Sequence, residues 1–272
     1  MIRAAIIGWP VGQSRSPLIH SHWLKEFGIA GDYGRQPVEP GAAEAFFAGF
    51  ADSGLAGGNV TLPYKEIAAR AADHREPIVE RIGAANTLWV EDGRLCATNT
   101  DGVGFLGNLD DRAPGWDAAA GEALVLGAGG AAASVVDGLV SRGFKVQVLN
   151  RTLSRAETLA ARYGKAAAAG LLSEANRYLP RAGLVVNTTS LGMKGEGAID
   201  IDFSLAGAET VVTDVVYVPL ETPFLKAARE RGLVTVDGLG MLLHQAVPGF
   251  ERWFGRRPTV TKALRAMIEA DL

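Results

Sequence analysis

The segment Ala123-Leu124-Val125-Leu126-Gly127-Ala128-Gly129-Gly130-Ala131-Ala132 passes from four apolar residues into a glycine cluster and then into small residues. It predicts a buried strand, a tight turn and a helix over 130–142. Gly127-x-Gly129-x-x-Ala132 has the spacing in which a first glycine permits the turn and a second lets backbone approach a diphosphate. A small third residue then packs the helix on the strand. Gly127, Ala128, Gly129, Gly130 and Ala131 are therefore candidate cofactor contacts, with the diphosphate on a helix N-terminus whose free amides favour anions. A ligand-free turn also accommodates these glycines, so the next strand has to decide. That strand, over 145–149, runs into Asn150-Arg151-Thr152, where Asn150 lies 23 residues beyond Gly127. An NAD site would carry a carboxylate there for the ribose 2′-hydroxyl. None is present; Arg151 and Arg155 flank Thr152, which is placed to cap the following helix. Guanidinium groups beside a helix N-terminus suit a 2′-phosphate, so NADP is expected at Asn150, Arg151, Thr152 and Arg155. A solvated basic turn is the plainer alternative.

Around this segment, short apolar runs alternate with longer amphipathic ones, the pattern of βα repeats. Further strands are expected over 184–187, 211–214 and 234–236, with a short one near Ala166, and helices over 153–163 and 222–231. The first hundred residues carry a second series. Its strands are expected over 3–7, 32–38, 57–60, 87–90 and 95–98, and its helices over 16–27, 42–53 and 65–72. Glu91-Asp92-Gly93-Arg94 predicts a hairpin with an antiparallel pair at one edge. Residues 110–121, with Pro114 and two glycines, read as a linker. After Val236 the chain returns to helix, over 241–254 and 260–272, the latter with Val260, Ala263, Leu264, Met267 and Ile268 on one stripe. The second series already has its strands, so these helices are expected to pack on the first. The resulting fold class is α/β, with two α/β domains and a cleft between them. One is an N-terminal substrate domain with a mainly parallel sheet, formed by 1–101 plus 238–272. The other is a Rossmann-type NADP-binding domain over 102–237.

Composition narrows the function classes. A chain of 272 residues with 48% hydrophobic content needs no disulfide or metal staple. The single cysteine, Cys96, fits a reducing cytoplasm, and four histidines leave too few ligands for a zinc ribbon, so no metal is expected. A net charge of −3 gives no global pull toward nucleic acid or membrane, and no long apolar run suggests a span. His20 and His22 lie two apart and point to different helix faces. The 34 glycines are the compositional oddity.

Polar residues cluster where strands of the first series end. Gly8-Trp9-Pro10-Val11-Gly12-Gln13-Ser14-Arg15-Ser16-Pro17 presents two hydroxyls, Ser14 and Ser16, to a carboxylate or polyol. Alternatively, Ser16 caps the helix that begins at Pro17. Asn59-Val60-Thr61-Leu62-Pro63-Tyr64-Lys65 places Lys65 at a helix start, where the dipole disfavours its charge. Asn99-Thr100-Asp101 is again a strand end. Lys65 and Asp101 together would give a lysine for proton transfer and a carboxylate to orient it. A surface lysine and a capping aspartate explain each residue singly.

The chain resembles the shikimate dehydrogenases over nearly its whole length. The motifs begin with Gly8-x-Pro10 through Ser14-x-Ser16-Pro17-x-x-His20, then Asn59-Val60-Thr61-x-Pro63-x-Lys65 and Gly83-Ala84-Ala85-Asn86-Thr87. They continue with Asn99-Thr100-Asp101, the glycine turn and Asn150-Arg151-Thr152. Asp214-x-x-Tyr217-x-Pro219 and Gly238-x-Gly240-Met241-Leu242-x-x-Gln245 complete them. The resemblance implies reversible NADPH-dependent reduction of 3-dehydroshikimate to shikimate, a step of chorismate and aromatic amino-acid biosynthesis. It implies Lys65 and Asp101 as the catalytic pair, with Ser14, Ser16, Thr61, Asn86, Asp101, Tyr217 and Gln245 holding substrate. Gly238 and the backbone at Val215 would border the nicotinamide. Gln13, Ser21 and Val215 depart from the residues the family often carries and bear on substrate preference. The partner expected is the small-molecule substrate, with a homodimer as a compatible state. Two alternatives stay open: a broader quinate/shikimate dehydrogenase able to use NAD, and a non-catalytic NADP-binding regulator.

Overall fold

The computed structural model describes residues 1–118, 120–193 and 197–272. The chain divides into two compact units, Met1–Thr100 with Gln245–Asp271, and Asp101–His244 with Leu272. The expected linker over 110–121 is not one. Its described residues lie inside the second unit, where Arg142 pairs with Asp110 and Asp117, and Trp116 stacks on Phe144 at 5.3 Å.

The first unit is built on β1 (Ile2–Gly8), β2 (Gly31–Pro37), β3 (Gly57–Val60), β4 (His74–Arg75), β5 (Thr87–Glu91) and β6 (Arg94–Thr98). These form one sheet in the order β2-β1-β3-β5-β6-β4. β1 pairs in parallel with both β2 and β3, whereas β5 runs antiparallel to β3 and β6. The hairpin turns at Asp92 and Gly93, both at positive φ, as a two-residue turn matched to strand twist requires. It does not sit at the sheet edge as expected: β4 pairs in parallel outside β6. One face packs against α2 (Ala43–Ala48), α3 (Lys65–Ala71) and α4 (Pro77–Ile82), with Phe47, Phe50, Val79, Leu88 and Leu95 in the core. An aromatic cluster joins α1 (Ser16–Glu26) and β2 to the returning C-terminal segment: His20, Trp23 and Tyr33 meet Phe250 and Trp253.

The second unit opens with α5 (Asp101–Arg112). It continues through β7 (Glu122–Leu126), α6 (Gly130–Ser141), β8 (Lys145–Asn150), α7 (Leu153–Ala160), β9 (Ala167–Leu171), α8 (Ala175–Tyr178), β10 (Ala182–Asn187), β11 (Val211–Asp214), α9 (Pro223–Arg229) and β12 (Val234–Val236). The strand order is β12-β11-β10-β7-β8-β9, every pair parallel. This is the doubly wound dinucleotide order, and its direction reverses between β7 and β10. The apolar runs that predicted the central strands β7, β10 and β11 are buried, as a sheet covered on both faces demands, whereas the edge strand β12 leaves Val234 exposed. After β12 comes α10 (Leu239–Phe254), which crosses the unit boundary at Gln245, a few residues later than the expected 238. α11 (Lys262–Glu269) ends the fold and is shorter than expected, because Thr261 accepts from Leu264 N and caps it. Of its predicted stripe only Leu264 and Ile268 are buried; Met267 and Ala263 are exposed.

Candidate active site

Strand direction collects the polar residues of the first unit at one sheet edge. β1, β3 and β6 point their carboxyl ends there, and β5, running in reverse, begins there. Asn59 sits opposite Thr87, and Thr87 opposite Thr98, so Thr61, Asn86 and Asn99-Thr100 emerge side by side. Asn86, 2% exposed, is the hub. Its Oδ1 accepts from Thr100 N at 2.8 Å and from Thr87 Oγ1 at 2.9 Å. Its Nδ2 donates to Thr100 Oγ1 at 3.1 Å and to Gln245 Oε1 at 3.4 Å, a partner 159 positions away. Thr100 Oγ1 donates in turn to the Gln245 carbonyl at 2.8 Å. Below this lies Asn59, whose Nδ2 donates to Asn86 O and Thr87 Oγ1 and whose Oδ1 accepts from Tyr33 Oη at 2.7 Å. The Tyr33 phenol also neighbours Ser16, and burial pushes its pKa up. A chain of buried hydrogen-bonding groups thus runs from Ser16 to Gln245. Such groups are stable in the interior only because their donors and acceptors are satisfied.

Lys65 opens α3, half-buried, and its carbonyl accepts from Ala85 N at 2.9 Å, one residue before Asn86. Asp101 directly follows Thr100 as the first residue of α5 and is 8% exposed. Thr61 N donates to Ile7 O at 2.9 Å, anchoring the β3 exit to β1. Ser14 Oγ accepts from Ser16 N at 3.3 Å. Ser16 is therefore not the helix cap: it lies in the first turn of α1, with Arg15 at the N-cap position and no side-chain cap bond. The first unit brings together Ser14, Ser16, Thr61, Lys65, Asn86 and Gln245. Asp101 and Tyr217 belong to the second, Tyr217 half-buried beyond β11.

In the second unit, Gly127 lies at the strand-order reversal with φ 110°, a left-handed conformation that favours glycine. A Cβ there would come within 2.6 Å of Thr188 Oγ1, so the turn after β7 and the loop after β10 are in direct contact. Thr188 N and Oγ1 both donate to Leu126 O at 2.8 Å. A Cβ at Gly129 or Gly130, by contrast, would meet nothing within 4 Å. Open backbone at the start of a twelve-residue helix, with Ala132 buried beneath it, is the cradle a diphosphate needs. Ala128 and Ala131 flank it, half-buried. At the end of β8, Asn150 Nδ2 donates to Thr152 O at 2.9 Å. Thr152 occupies the N-cap position of α7, but its hydroxyl makes no cap bond, contrary to expectation. Arg151 and Arg155 are exposed and form no ion pair among the described residues. The residues present therefore fit a dinucleotide that carries an extra phosphate. Val215 N donates to Asn187 O at 3.0 Å, and a Cβ at Gly238 would come within 2.6 Å of Val215 O, so these backbones converge.

Asp214 and Asn59 are not among the expected site residues, although Asp214 opens the motif that ends at Pro219 and Asn59 the one that ends at Lys65. Asp214 accepts from Asn187 Nδ2, Val216 N and Thr222 Oγ1, and burial pushes its pKa up against those bonds. Polar side chains at the ends of otherwise apolar strands were the available signal for both.

Residues 6–88 match the model of the shikimate dehydrogenase substrate binding domain, 112–193 that of shikimate/quinate 5-dehydrogenase, and 238–268 that of the shikimate 5'-dehydrogenase C-terminal domain. A shikimate dehydrogenase (NADP(+)) of Azorhizobium caulinodans is 59% identical, covering 100% of this chain and 97% of that protein. The chain belongs to the shikimate dehydrogenase family. Among solved members, the shikimate 5-dehydrogenase from Thermus thermophilus in complex with NADP(H) and shikimate has a TM-score of 0.84 at 36% identity, covering 100% of this chain and 98% of that one. A quinate dehydrogenase from Corynebacterium glutamicum in complex with NAD has a TM-score of 0.89 at 29% identity, with 98% of each chain covered. Shikimate dehydrogenase family membership thus spans both units and agrees with a two-unit α/β fold rich in parallel strands.

Proposed function

We propose that this protein catalyses reversible NADPH-dependent reduction of 3-dehydroshikimate to shikimate. The observation that carries the reading is the Asn86–Thr100–Gln245 network, in which three separate motifs meet at one strand edge beside Thr61 and Lys65. Gly127, Ala128, Gly129, Gly130 and Ala131 would hold the diphosphate of NADP. Asn150, Arg151, Thr152 and Arg155 would take the 2′-phosphate, and Val215 and Gly238 would border the nicotinamide. When bound, the cofactor supplies hydride to the ring carbonyl carbon. Lys65 would deliver the proton to the carbonyl oxygen, and Asp101 would accept a hydrogen bond from the hydroxyl that forms and orient the lysine. Ser14, Ser16 and Tyr217 would hold the carboxylate end of the substrate, with Thr61, Asn86 and Gln245 on its ring hydroxyls.

Quinate oxidation with NAD is the second reading, favoured by the likeness to the quinate dehydrogenase above. The absence of a carboxylate at Asn150-Arg151-Thr152 speaks for NADP. The proposal extends to a homodimer and a cytoplasmic location, read by light scattering and fractionation. Among the described residues no helix is long and apolar enough to cross a membrane.

The test is NADPH consumption with 3-dehydroshikimate, run beside NADH and beside quinate in the oxidative direction. NADPH-linked turnover is expected to dominate; comparable rates with quinate and NAD+ would replace the reading by the second. Lys65→Ala should fold and bind NADPH but lose roughly 10²–10⁴-fold in turnover. Near-normal rates in that variant would remove Lys65 from the mechanism.

A further inference from the structure

The serine turn that the proposed function assigns to the substrate carboxylate is held by two arginines in different electrostatic states. Arg15 spends its charge on the C-terminal end of the first unit: Nε pairs with Asp271 Oδ2 at 3.3 Å, and Nη2 donates to Asp271 O at 2.9 Å. Its remaining donor, Nη1, reaches Gln13 O at 3.1 Å. Arg35 differs. It stands on β2, in register with Ile6 of β1, two residues before the strand ends. Its Nη2 donates to Ser14 O at 2.9 Å, and it forms no ion pair among the described residues. Alternate residues of a strand share one face, so Arg35 and Tyr33 project together. Tyr33 places its phenol beside Ser16, and Arg35 places its guanidinium on Ser14. One strand face thus supports both hydroxyl-bearing residues, one through a neutral group and one through an unneutralised cation.

Ser14 can turn its hydroxyl productively only while its peptide is fixed. Its Oγ already accepts from Ser16 N, so the Arg35 bond to its carbonyl restrains the other side of the same residue. The guanidinium has further N–H donors beyond the one used on Ser14. Its charge lies well within a Debye length, about 8 Å at physiological ionic strength, of anything bound to that turn. We propose that Arg35 is a specificity-determining residue that fixes the Ser14 peptide and biases the site toward a ring substrate bearing a carboxylate. This rests on the assignment of Ser14 and Ser16 to the substrate carboxylate.

The experiment compares oxidation of shikimate with that of its neutral methyl ester, using NADP+, in the wild-type protein, Arg35→Gln, Arg35→Lys and Ser16→Ala. Arg35 is exposed, so solvent screening limits the effect. Arg35→Gln should raise KM for shikimate by roughly threefold to tenfold. The loss should appear in KM more than in kcat, the mark of binding removed equally from ground and transition states. KM for the ester and for NADP+ should stay near wild type, so the preference for acid over ester narrows. Arg35→Lys should restore most of that preference, and raising the salt concentration should narrow it in the wild-type protein but not in Arg35→Gln. Equal losses on acid and ester, or an unchanged preference in Arg35→Gln, would overturn the role of Arg35. If Ser16→Ala also leaves the preference untouched, or wild-type protein does not oxidise shikimate, the carboxylate assignment itself has failed and takes the proposal with it.

Discussion

At the scale of single residues, His20 shows what burial does to a titrating side chain. It lies fully buried, stacked on Tyr33 at 3.9 Å, and neither ring nitrogen makes a hydrogen bond among the described residues. Burial pulls its pKa from 6.5 down to about 3. As pH falls below 6.5 the unfolded chain takes up a proton that the folded chain refuses, until the folded value near 3 is reached. Over that window His20 lowers stability progressively as the pH falls. His20→Phe keeps a ring in the stack and removes the proton site. Urea unfolding near neutrality and again at moderately acid pH should show a shallower acid loss in the variant; identical losses would mean His20 does not set the acid limb. Arg151→Ala belongs to the same scale. If its charge reads a 2′-phosphate, NADPH affinity should fall by roughly tenfold or more while NADH affinity barely moves, as for a charge-assisted hydrogen bond removed from one ligand only. Titrating both cofactors by fluorescence decides it, and matched losses would reject the assignment. Ser14, Ser16, Lys65 and Asp101 could be named from hydroxyls, a lysine and a carboxylate near strand ends, whereas Thr61, Asn86, Tyr217 and Gln245 came only from the family resemblance. What could not be read was orientation: nothing in Asn59 or Thr100 announces that one lies beneath Asn86 and the other locks it to Gln245.

Among secondary-structure elements, legibility followed how each one hides its backbone. The central strands of the second unit, β7, β10 and β11, were plain because they are near-continuous apolar runs buried on both faces. α5 was missed because Gly102, Gly104 and Gly107 lower its helix propensity. Two contacts explain glycine there. A Cβ at Gly102 would come within 2.8 Å of Ser134 O on α6, and one at Gly107 within 3.0 Å of the His244 ring. Close approach, rather than local preference, decided that segment. β4 escaped notice because two residues carry no periodicity, and it displaces the hairpin from the edge. β3 makes the complementary case. Trp253 Nε1 donates to Leu88 O at 2.8 Å across β3, and a Cβ at Gly57 would overlap both the indole and that carbonyl. Gly57→Ala must therefore move the indole or the strand, costing about 1–3 kcal/mol as overpacking does. Chemical denaturation followed by tryptophan emission should report both the loss and an altered native spectrum. A variant as stable as the parent would show that β3 yields easily.

For the whole molecule, the unequal make-up of the two units predicts unequal autonomy. Asp101–His244 contains its entire parallel sheet and its own core of Leu124, Val185, Val212 and Phe224. Met1–Thr100 lacks Phe250 and Trp253, which cover Trp23 and His20. A fragment of residues 101–244 should unfold cooperatively, whereas one of residues 1–100 should bind a hydrophobic dye and unfold without a sharp transition. Cooperative melting of the second fragment would show that its sheet and helices suffice without the returning segment. A unit drawn from both ends of the chain also imposes an order on biosynthesis. The ribosome completes Met1–Thr100 first and must then polymerise the whole second unit before Gln245 emerges, a delay of roughly seven to thirty seconds at ordinary elongation rates. Throughout that interval the nascent chain carries an uncovered aromatic face, and Asn86 waits for its most distant partner. Premature termination anywhere in the second unit would therefore release a chain without a finished strand-edge network, however much of its sequence had been translated.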